Sequence, residues 1–513
     1  MPKYYRNKNF RNYLFIFLSA VPLLIHFYIN LYAGYGYFRD ELYYIACSGR
    51  PAAGYVDHPP LSILILSLSR YLFSDSLFAL RSIPAVMSAL TVYITCLMVK
   101  ETGGKTFATI LASLAVILSP VYLAMNSYYS MNSLDIFLWS LAFYIVILII
   151  NKDKTVHWLI LGLVIGLGLL NKTGFLWFGA GLLAGLLISD KRKALLTFKP
   201  YLTALIALLI FSPYVIWNLQ NDFAHIEFIR NAVLTKYSGI DYLDFIKGQL
   251  LNQGPVSILI WMTGLYFFLF YETGLKYRIV AVIYISVFII LLVNGHSKAE
   301  YLSPAYTVLF AGGSVFIERK TIVRSRWIRY ALVIPLCLTG ILIAPLAAPV
   351  LPVESFISYS NTLGIKPSSS ENKELSELPQ FFADMHGWEE MASNVSKVYM
   401  SLPRDERLRT VIYGQNYGEA SAMEFYKNKY PIPRTISAHN SFWLWGYGNI
   451  EDPVMIIIGG KKEDYLDLFE EVNESLVHTA DYSMPYENNL TIFIAKKIKT
   501  PVSELWLKIK NYN

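Results

Sequence analysis

A multi-pass α-helical membrane bundle followed by an extracytoplasmic α/β domain is the architecture that three features of this 513-residue chain predict. Hydrophobic residues make up 55% of it and charged residues only 16%, against roughly 25% charged in soluble domains. Apolar runs long enough to cross a bilayer recur throughout the first 349 residues. Beyond residue 350 the apolar excess disappears. The division predicted is therefore a membrane part, 1–349, and a soluble part, 350–513.

Crossing the hydrocarbon core takes about 20 mostly apolar residues. Runs near that length lie at 12 to 33, 81 to 99, 106 to 124, 133 to 150, 156 to 170, 173 to 189, 200 to 217, 255 to 271, 277 to 293, 301 to 317 and 328 to 348. These give about eleven helices. The first is too long for a signal-peptide core and lacks a small-x-small cleavage site, so it reads as a retained helix. Lys3, Arg6, Lys8 and Arg11 before it place the N-terminus in the cytoplasm. Counting forward, every inside loop is basic: Lys100 and Lys105; Lys152 and Lys154; Lys191, Arg192, Lys193 and Lys199; Lys276 and Arg278; Arg319, Lys320, Arg324, Arg326 and Arg329. Outside fall 34 to 80, 218 to 254, the short turns near 125 to 132, 171 to 174 and 294 to 300, and the C-terminal region.

That region mixes polar loops with β-branched runs at Arg409 to Tyr413, Val454 to Ile458 and Leu490 to Ile494, and an amphipathic stretch around Asp464 to Val472 that reads as helical. Segment 361 to 380, rich in Ser, Pro, Glu and Lys, reads as a linker. Only three cysteines occur, Cys47, Cys96 and Cys337, which excludes a disulfide framework and a Cys-ligated zinc site. The net charge of +7 sits mostly in short loops, where topology accounts for it without nucleic acid as a partner.

Ionisable residues gather at the outer ends of the spans. Asp40 and Glu41 follow the first span, and Asp57 and His58 share its outer loop. Asp135 opens the fourth span, Lys172 sits in the Asn171-Lys-Thr-Gly174 break, and His296, Lys298 and Glu300 fill the last outer turn. A charge at membrane depth costs on the order of 3 kcal/mol, so several from distant segments at one membrane face point to a shared polar cavity, an active or transport site. Each also has an ordinary reading. Asp40 and Glu41 serve equally as solvated loop charges, His58 as a turn cap before Pro59-Pro60, and Asp135 as a carboxylate on a helix dipole. Lys172 and Lys298 are also plain interfacial lysines, and His296 a solvated histidine. Gly34-Tyr-Gly36 and Gly414-x-x-x-Gly418 lack the strand-to-helix context of a phosphate loop and read as tight turns. Aromatics in 440 to 448 suit either sugar stacking or a bilayer interface.

Five segments in order, Phe38-Arg-Asp-Glu-Leu-Tyr-Tyr-Ile45, Tyr55-Val-Asp-His-Pro-Pro-Leu61, Met131-Asn-Ser-Leu-Asp135, Leu170-Asn-Lys-Thr-Gly174 and Tyr301-Leu-Ser-Pro-Ala-Tyr306, resemble the polyprenyl-phosphate-dependent glycosyltransferases of the protein O-mannosyltransferase and aminoarabinose transferase superfamily. Phe382-Ala-Asp-Met-His-Gly-Trp388, Asn416-Tyr-Gly-Glu-Ala420 and His439-Asn-Ser-Phe-Trp-Leu-Trp445 resemble the outer domain of its bacterial family-39-like branch. The resemblance implies a GT-C fold and a glycosyltransferase of the cell membrane. Its donor would be a polyprenyl-phosphate sugar, its acceptor a protein, lipid or envelope glycan. In this superfamily the acidic pair of the first outer loop carries the catalytic aspartate, which maps onto Asp40 with Glu41 beside it. Asp57 matches a second acidic position of that loop, where His58 replaces the lysine of the aminoarabinose transferases. Lys172 and Lys298 resemble contacts to the lipid phosphate, with Asp135 and His296 among the substrate-binding candidates. No metal ligand is assigned, and a divalent cation is left open. The chemistry agrees: a lipid-linked sugar arrives activated, so the enzyme needs cations for the leaving phosphate and a carboxylate for the acceptor's proton, with no nucleotide. The alternative is a transporter of lipid-linked or anionic solutes, whose sites usually lie nearer the midplane on broken helices.

Overall fold

The computed structural model describes residues 3–236, 241–321, 325–367, 369, 374–449 and 451–513. Arg324, part of the 361 to 380 segment, and the side chains of Lys3, Arg6 and Lys8 lie outside the described residues. Contacts divide the chain into two compact units, neither continuous in sequence. The first holds Met1–Ala33, Phe78–Trp217 and Tyr237–Pro352; the second holds Gly34–Leu77, Asn218–Lys236 and Val353–Asn513.

The first unit is helical. Among the described residues six helices are long and apolar enough to cross a membrane: Asn9–Tyr32, Leu77–Glu101, Met131–Lys152, Lys199–Gln220, Leu275–Asn294 and Trp327–Ala347. Tyr242–Gln253 and Pro255–Phe270, bent by 97°, make a seventh if taken as one span. The other expected spans appear as shorter helices, and their breaks have local causes. Pro120, which cannot continue an α-helical ladder, divides the 106 to 124 run into Thr106–Ile117 and Pro120–Met125. The 301 to 317 run opens as a 3₁₀ turn, Ala299–Ala305, around Pro304 before Tyr306–Lys320.

Small residues bring these helices close, as membrane packing favours. Gly264 of Ile258–Phe270 faces the Leu309 carbonyl, and Gly313 of Tyr306–Lys320 faces the Ile260 carbonyl so closely that a Cβ has no room. Glu318, buried, accepts from Lys105 N–H at 2.7 Å and Ala108 N–H at 3.0 Å. A carboxylate from one helix thus caps the N-terminus of another, where unpaired amides favour negative charge.

The second unit is built on a five-stranded mixed sheet: β1 (Thr410–Tyr413), β2 (Thr435–Ile436), β3 (Val454–Ile458), β4 (Phe469–His478) and β5 (Leu490–Ile498), in the order β2-β1-β3-β5-β4. β1 runs parallel to β2 and β3, while β5 runs antiparallel to β3 and β4. The central β3 reads Val-Met-Ile-Ile-Ile and is buried throughout, as a strand covered on both faces must be. Its even-numbered residues join Ile412 and Ile492 under Trp388–Ser401, and its odd-numbered ones join Val411, Phe493 and Trp506. The stretch from Asp464 to Val472 corrects the helical expectation: a short helix, Lys462–Leu466, ends before β4 begins. Phe469 and Val472 are buried in the sheet core while Glu470 and Glu474 face outward, and that polar spacing mimics a helical period.

Two segments from the first half of the chain, Gly34–Leu77 and Asn218–Lys236, belong to this unit. Arg39–Ser48 places Leu42 in the same buried cluster as Ile412, Val454, Ile456 and Ile492. Leu61–Phe73 and Ala224–Thr235 are the other helices of these two segments among the described residues. Gly36 lies against the Met385 carbonyl, where a Cβ would come within 2.6 Å, so this glycine serves close backbone approach.

Candidate active site

The acidic pair opens the helix Arg39–Ser48, the end at which the peptide dipoles and unpaired N–H groups favour negative charge. Its two members differ. Glu41 is fully buried, and its Oε2 accepts from Phe38 N–H at 2.9 Å, closing the first helical turn. The Asp40 side chain is 36% exposed, and its Oδ1 accepts from the Tyr417 hydroxyl at 2.8 Å.

Arg39 is fixed around the same point. Its Nη1 donates to Tyr486 Oη at 2.7 Å, its Nη2 lies 3.9 Å from Asp384 Oδ2, and Tyr486 in turn donates to Asp384 Oδ1 at 3.1 Å. Its guanidinium stands 5.3 Å from the Tyr417 ring centroid. Burial alone would make this guanidinium easier to deprotonate, but Asp384, Tyr417, Tyr486 and Asp40 hold it firmly charged.

Behind Tyr417 lie two buried carboxyls. Asn416 Nδ2 donates to Glu419 Oε1 at 3.0 Å and to Glu487 Oε1 at 2.9 Å, and Gln415 N–H donates to Glu419 Oε2 at 2.6 Å. Burial pushes both acids up, Glu419 well above the carboxylate range and Glu487 to about 7, with Arg39 pulling Glu487 partly back. Burial disfavours the charged form of each, and two carboxyls bridged by one amide also disfavour ionising together.

The rest of the first outer loop is held by a second set of bonds. Asp57 Oδ1 accepts from the Tyr43 hydroxyl at 2.9 Å, and Tyr43 Oη in turn accepts from Ser441 N–H at 3.3 Å. Val56 N–H donates to Ser441 Oγ at 3.2 Å and its carbonyl accepts from His225 Nδ1 at 3.0 Å. His58 is buried among the rings of Tyr44 and Tyr55, its Nδ1 bonded to Pro59 O at 3.1 Å and its Nε2 3.8 Å from Asp57. This geometry favours the turn-capping reading of His58.

In the first unit, Lys172 follows the helix Thr155–Asn171 in extended conformation. Its Nζ donates to Asn132 Oδ1 at 2.8 Å, lies 3.9 Å from Asp135 Oδ2, and stands 5.0 Å from the Tyr301 ring centroid. Asp135 is buried one turn into Met131–Lys152, whose N-terminus Ser130 caps. Lys298 is the N-cap position of Ala299–Ala305, and His296 is partly buried in the turn before it. The structure thus joins Lys172 with Asp135 in one unit, and Asp40, Glu41, Asp57 and His58 in the other. Among the described residues no three of His, Cys, Asp and Glu converge as metal ligands.

The aromatics of 440 to 448 are partly committed inward: Trp443 Nε1 donates to Trp506 O at 2.8 Å, and Trp445 packs 4.3 Å from the Arg50 guanidinium. Sequence reasoning passed over Arg39, Asp384, Tyr417, Glu419 and Glu487. The motifs Phe382–Trp388 and Asn416–Ala420 were the available signal, since four of the five residues fall inside them or beside Asp40.

Residues 57–217 match the family model of dolichyl-phosphate-mannose-protein mannosyltransferases, a span that takes in Asp57, His58, Asp135 and Lys172. No curated protein matches by sequence. Among solved structures, ArnT from Cupriavidus metallidurans bound to undecaprenyl phosphate is similar over 94% of this chain and 97% of its own, with a TM-score of 0.59 at 11% identity. The Archaeoglobus fulgidus oligosaccharyltransferase tethered to an acceptor peptide is similar over 83% of this chain and 64% of its own, with a TM-score of 0.53 at 14% identity. The fold shared with these structures is the multi-pass membrane GT-C fold, and the mannosyltransferase family model matches within it over residues 57–217.

Proposed function

We propose that the chain transfers a sugar from a polyprenyl-phosphate-linked donor to an extracytoplasmic acceptor, with Asp40 as general base. The observation that carries this reading is the contrast within the acidic pair: Glu41 is consumed by the helix cap, while Asp40 is part-exposed and, among the described residues, has its contacts on Oδ1. Support for the donor comes from the likeness to ArnT bound to undecaprenyl phosphate. The acceptor is a protein, lipid or envelope glycan hydroxyl. Its oxygen attacks the anomeric carbon, the bond from that carbon to the phosphate oxygen breaks with its electron pair leaving on the polyprenyl phosphate, and the acceptor proton passes to Asp40. Lys172 and Lys298 hold the phosphate charge, with Asp135 orienting Lys172 and His296 near the substrate; Asp57 and His58 shape the loop. The chain lies in the cell membrane with its N-terminus cytoplasmic and residues 350–513 outside.

The test is sugar transfer from a polyprenyl-phosphate donor by detergent-purified protein. Asp40→Asn keeps shape and removes the base, so turnover falls by roughly 10² to 10⁴ at unchanged melting temperature. Near wild-type turnover in that variant removes Asp40 from the chemistry.

A further inference from the structure

The motif Asn416-Tyr-Gly-Glu419 has no role in the reading above, yet every residue of it serves the placement of one hydroxyl. Asn416 Oδ1 accepts from Gly418 N–H at 2.8 Å and Glu419 N–H at 3.1 Å, which fixes the first turn of Tyr417–Tyr426. The Tyr417 N–H donates to His439 Nδ1 at 3.3 Å, and His439 Nε2 donates to Asn513 O at 3.0 Å, so the imidazole is a neutral, oriented acceptor. Burial suits that state, lowering His439 to about 4. Gly418 leaves room for the Arg39 stem, since a Cβ there would come within 2.7 Å of Arg39 Cγ. The Tyr417 ring is then gripped by Arg39, by Tyr43 at 4.8 Å between centroids and by His439 at 5.0 Å. A phenol held at its backbone and on its ring has little freedom left at its oxygen. That oxygen donates to Asp40 Oδ1.

We propose that Tyr417 is a positioning residue for Asp40. Its hydroxyl occupies Oδ1 and pins the plane of the carboxylate, which leaves Oδ2 as the oxygen that takes the acceptor's proton. The motif Asn416–Glu419, together with His439, is the bracket that holds this phenol. The inference rests on Asp40 acting as base, and it adds the C-terminal region to the reaction without giving it a contact to substrate.

Tyr417→Phe removes one oxygen and keeps the ring. For the purified enzyme, kcat falls about tenfold while the KM for the polyprenyl-phosphate donor and the melting temperature stay at wild-type values, as loss of orientation at a reacting group demands. A merely structural role would move melting temperature or KM with kcat. The same substitution placed in Asp40→Asn produces no further fall in the residual rate, because residues acting through one another are non-additive. An equal fall in both backgrounds, or no fall with Asp40 present, overturns the positioning role while the base reading stands. Near wild-type turnover of Asp40→Asn alone overturns the base reading and this inference with it.

Discussion

Asp40 and Glu41 are neighbours in one helical turn and have opposite surroundings, which decides what each can do. A carboxylate bound to Phe38 N–H and closed off from solvent contributes on the order of 1 kcal/mol to the helix as its cap, so Glu41→Gln acts on stability before it acts on turnover. Asp40 keeps an exposed edge. On the cationic side, Lys172 has Asn132, Asp135 and the Tyr301 ring around its ammonium. A charge-assisted contact to phosphate is worth about 1.5 to 3 kcal/mol, so Lys172→Ala and Lys298→Ala each lower kcat/KM for the donor by roughly 10- to 150-fold, with arginine restoring part of it. Unchanged donor kinetics in both alanine variants would return these lysines to an interfacial role. Asp40, Asp135 and Lys172 stand out in the sequence as candidates because a charge beside an apolar run is expensive and needs a reason. Tyr417 was not, since tyrosine is common in this chain and its partner Asp40 lies 377 positions away.

At the level of elements, helix Tyr417–Tyr426 and the turn Pro485–Glu487 are joined through Asn416 and the carboxyls of Glu419 and Glu487. Burial, the larger cause, raises Glu487 from an ordinary 4.5 to about 7 even with Arg39 opposing it. A carboxyl raised on folding binds its proton more tightly in the native state, so its contribution is fully present below about 4.5 and is lost as pH rises through about 7. Glu487→Gln, neutral at every pH, therefore flattens the decline in melting temperature between pH 5 and pH 8 relative to the wild type. Parallel declines in the two proteins would show that the pair does not hold a proton. The same scale explains what sequence pattern could and could not give. β3 was evident as an uninterrupted apolar run of five residues. β4 was misread because its outward face is acidic and polar, and spacing alone cannot separate that from an amphipathic helix.

For the whole molecule, the alternation of basic loops is the ground for the orientation we propose. A reporter active only in the cytoplasm stays silent when fused after residue 400 and is active when fused at the N-terminus; the reverse result would invert the chain in the membrane. Span count was the less legible quantity, because prolines such as Pro120 and Pro304 shorten helices inside runs that hydropathy alone reads as continuous. What hydropathy also hides is that Leu42 completes the core of a sheet whose strands β1 to β5 begin only at Thr410. This sets an order of events during synthesis. At about 5 to 20 residues per second, the ribosome takes about 20 to 75 s to travel from Asp40 to Tyr417. For that interval the helix Arg39–Ser48 has neither the strand residues that cover Leu42 nor the phenol that holds Asp40. A half-made chain therefore carries its carboxylate unheld and Leu42 uncovered, and a truncated product lacking β1 to β5 keeps both defects.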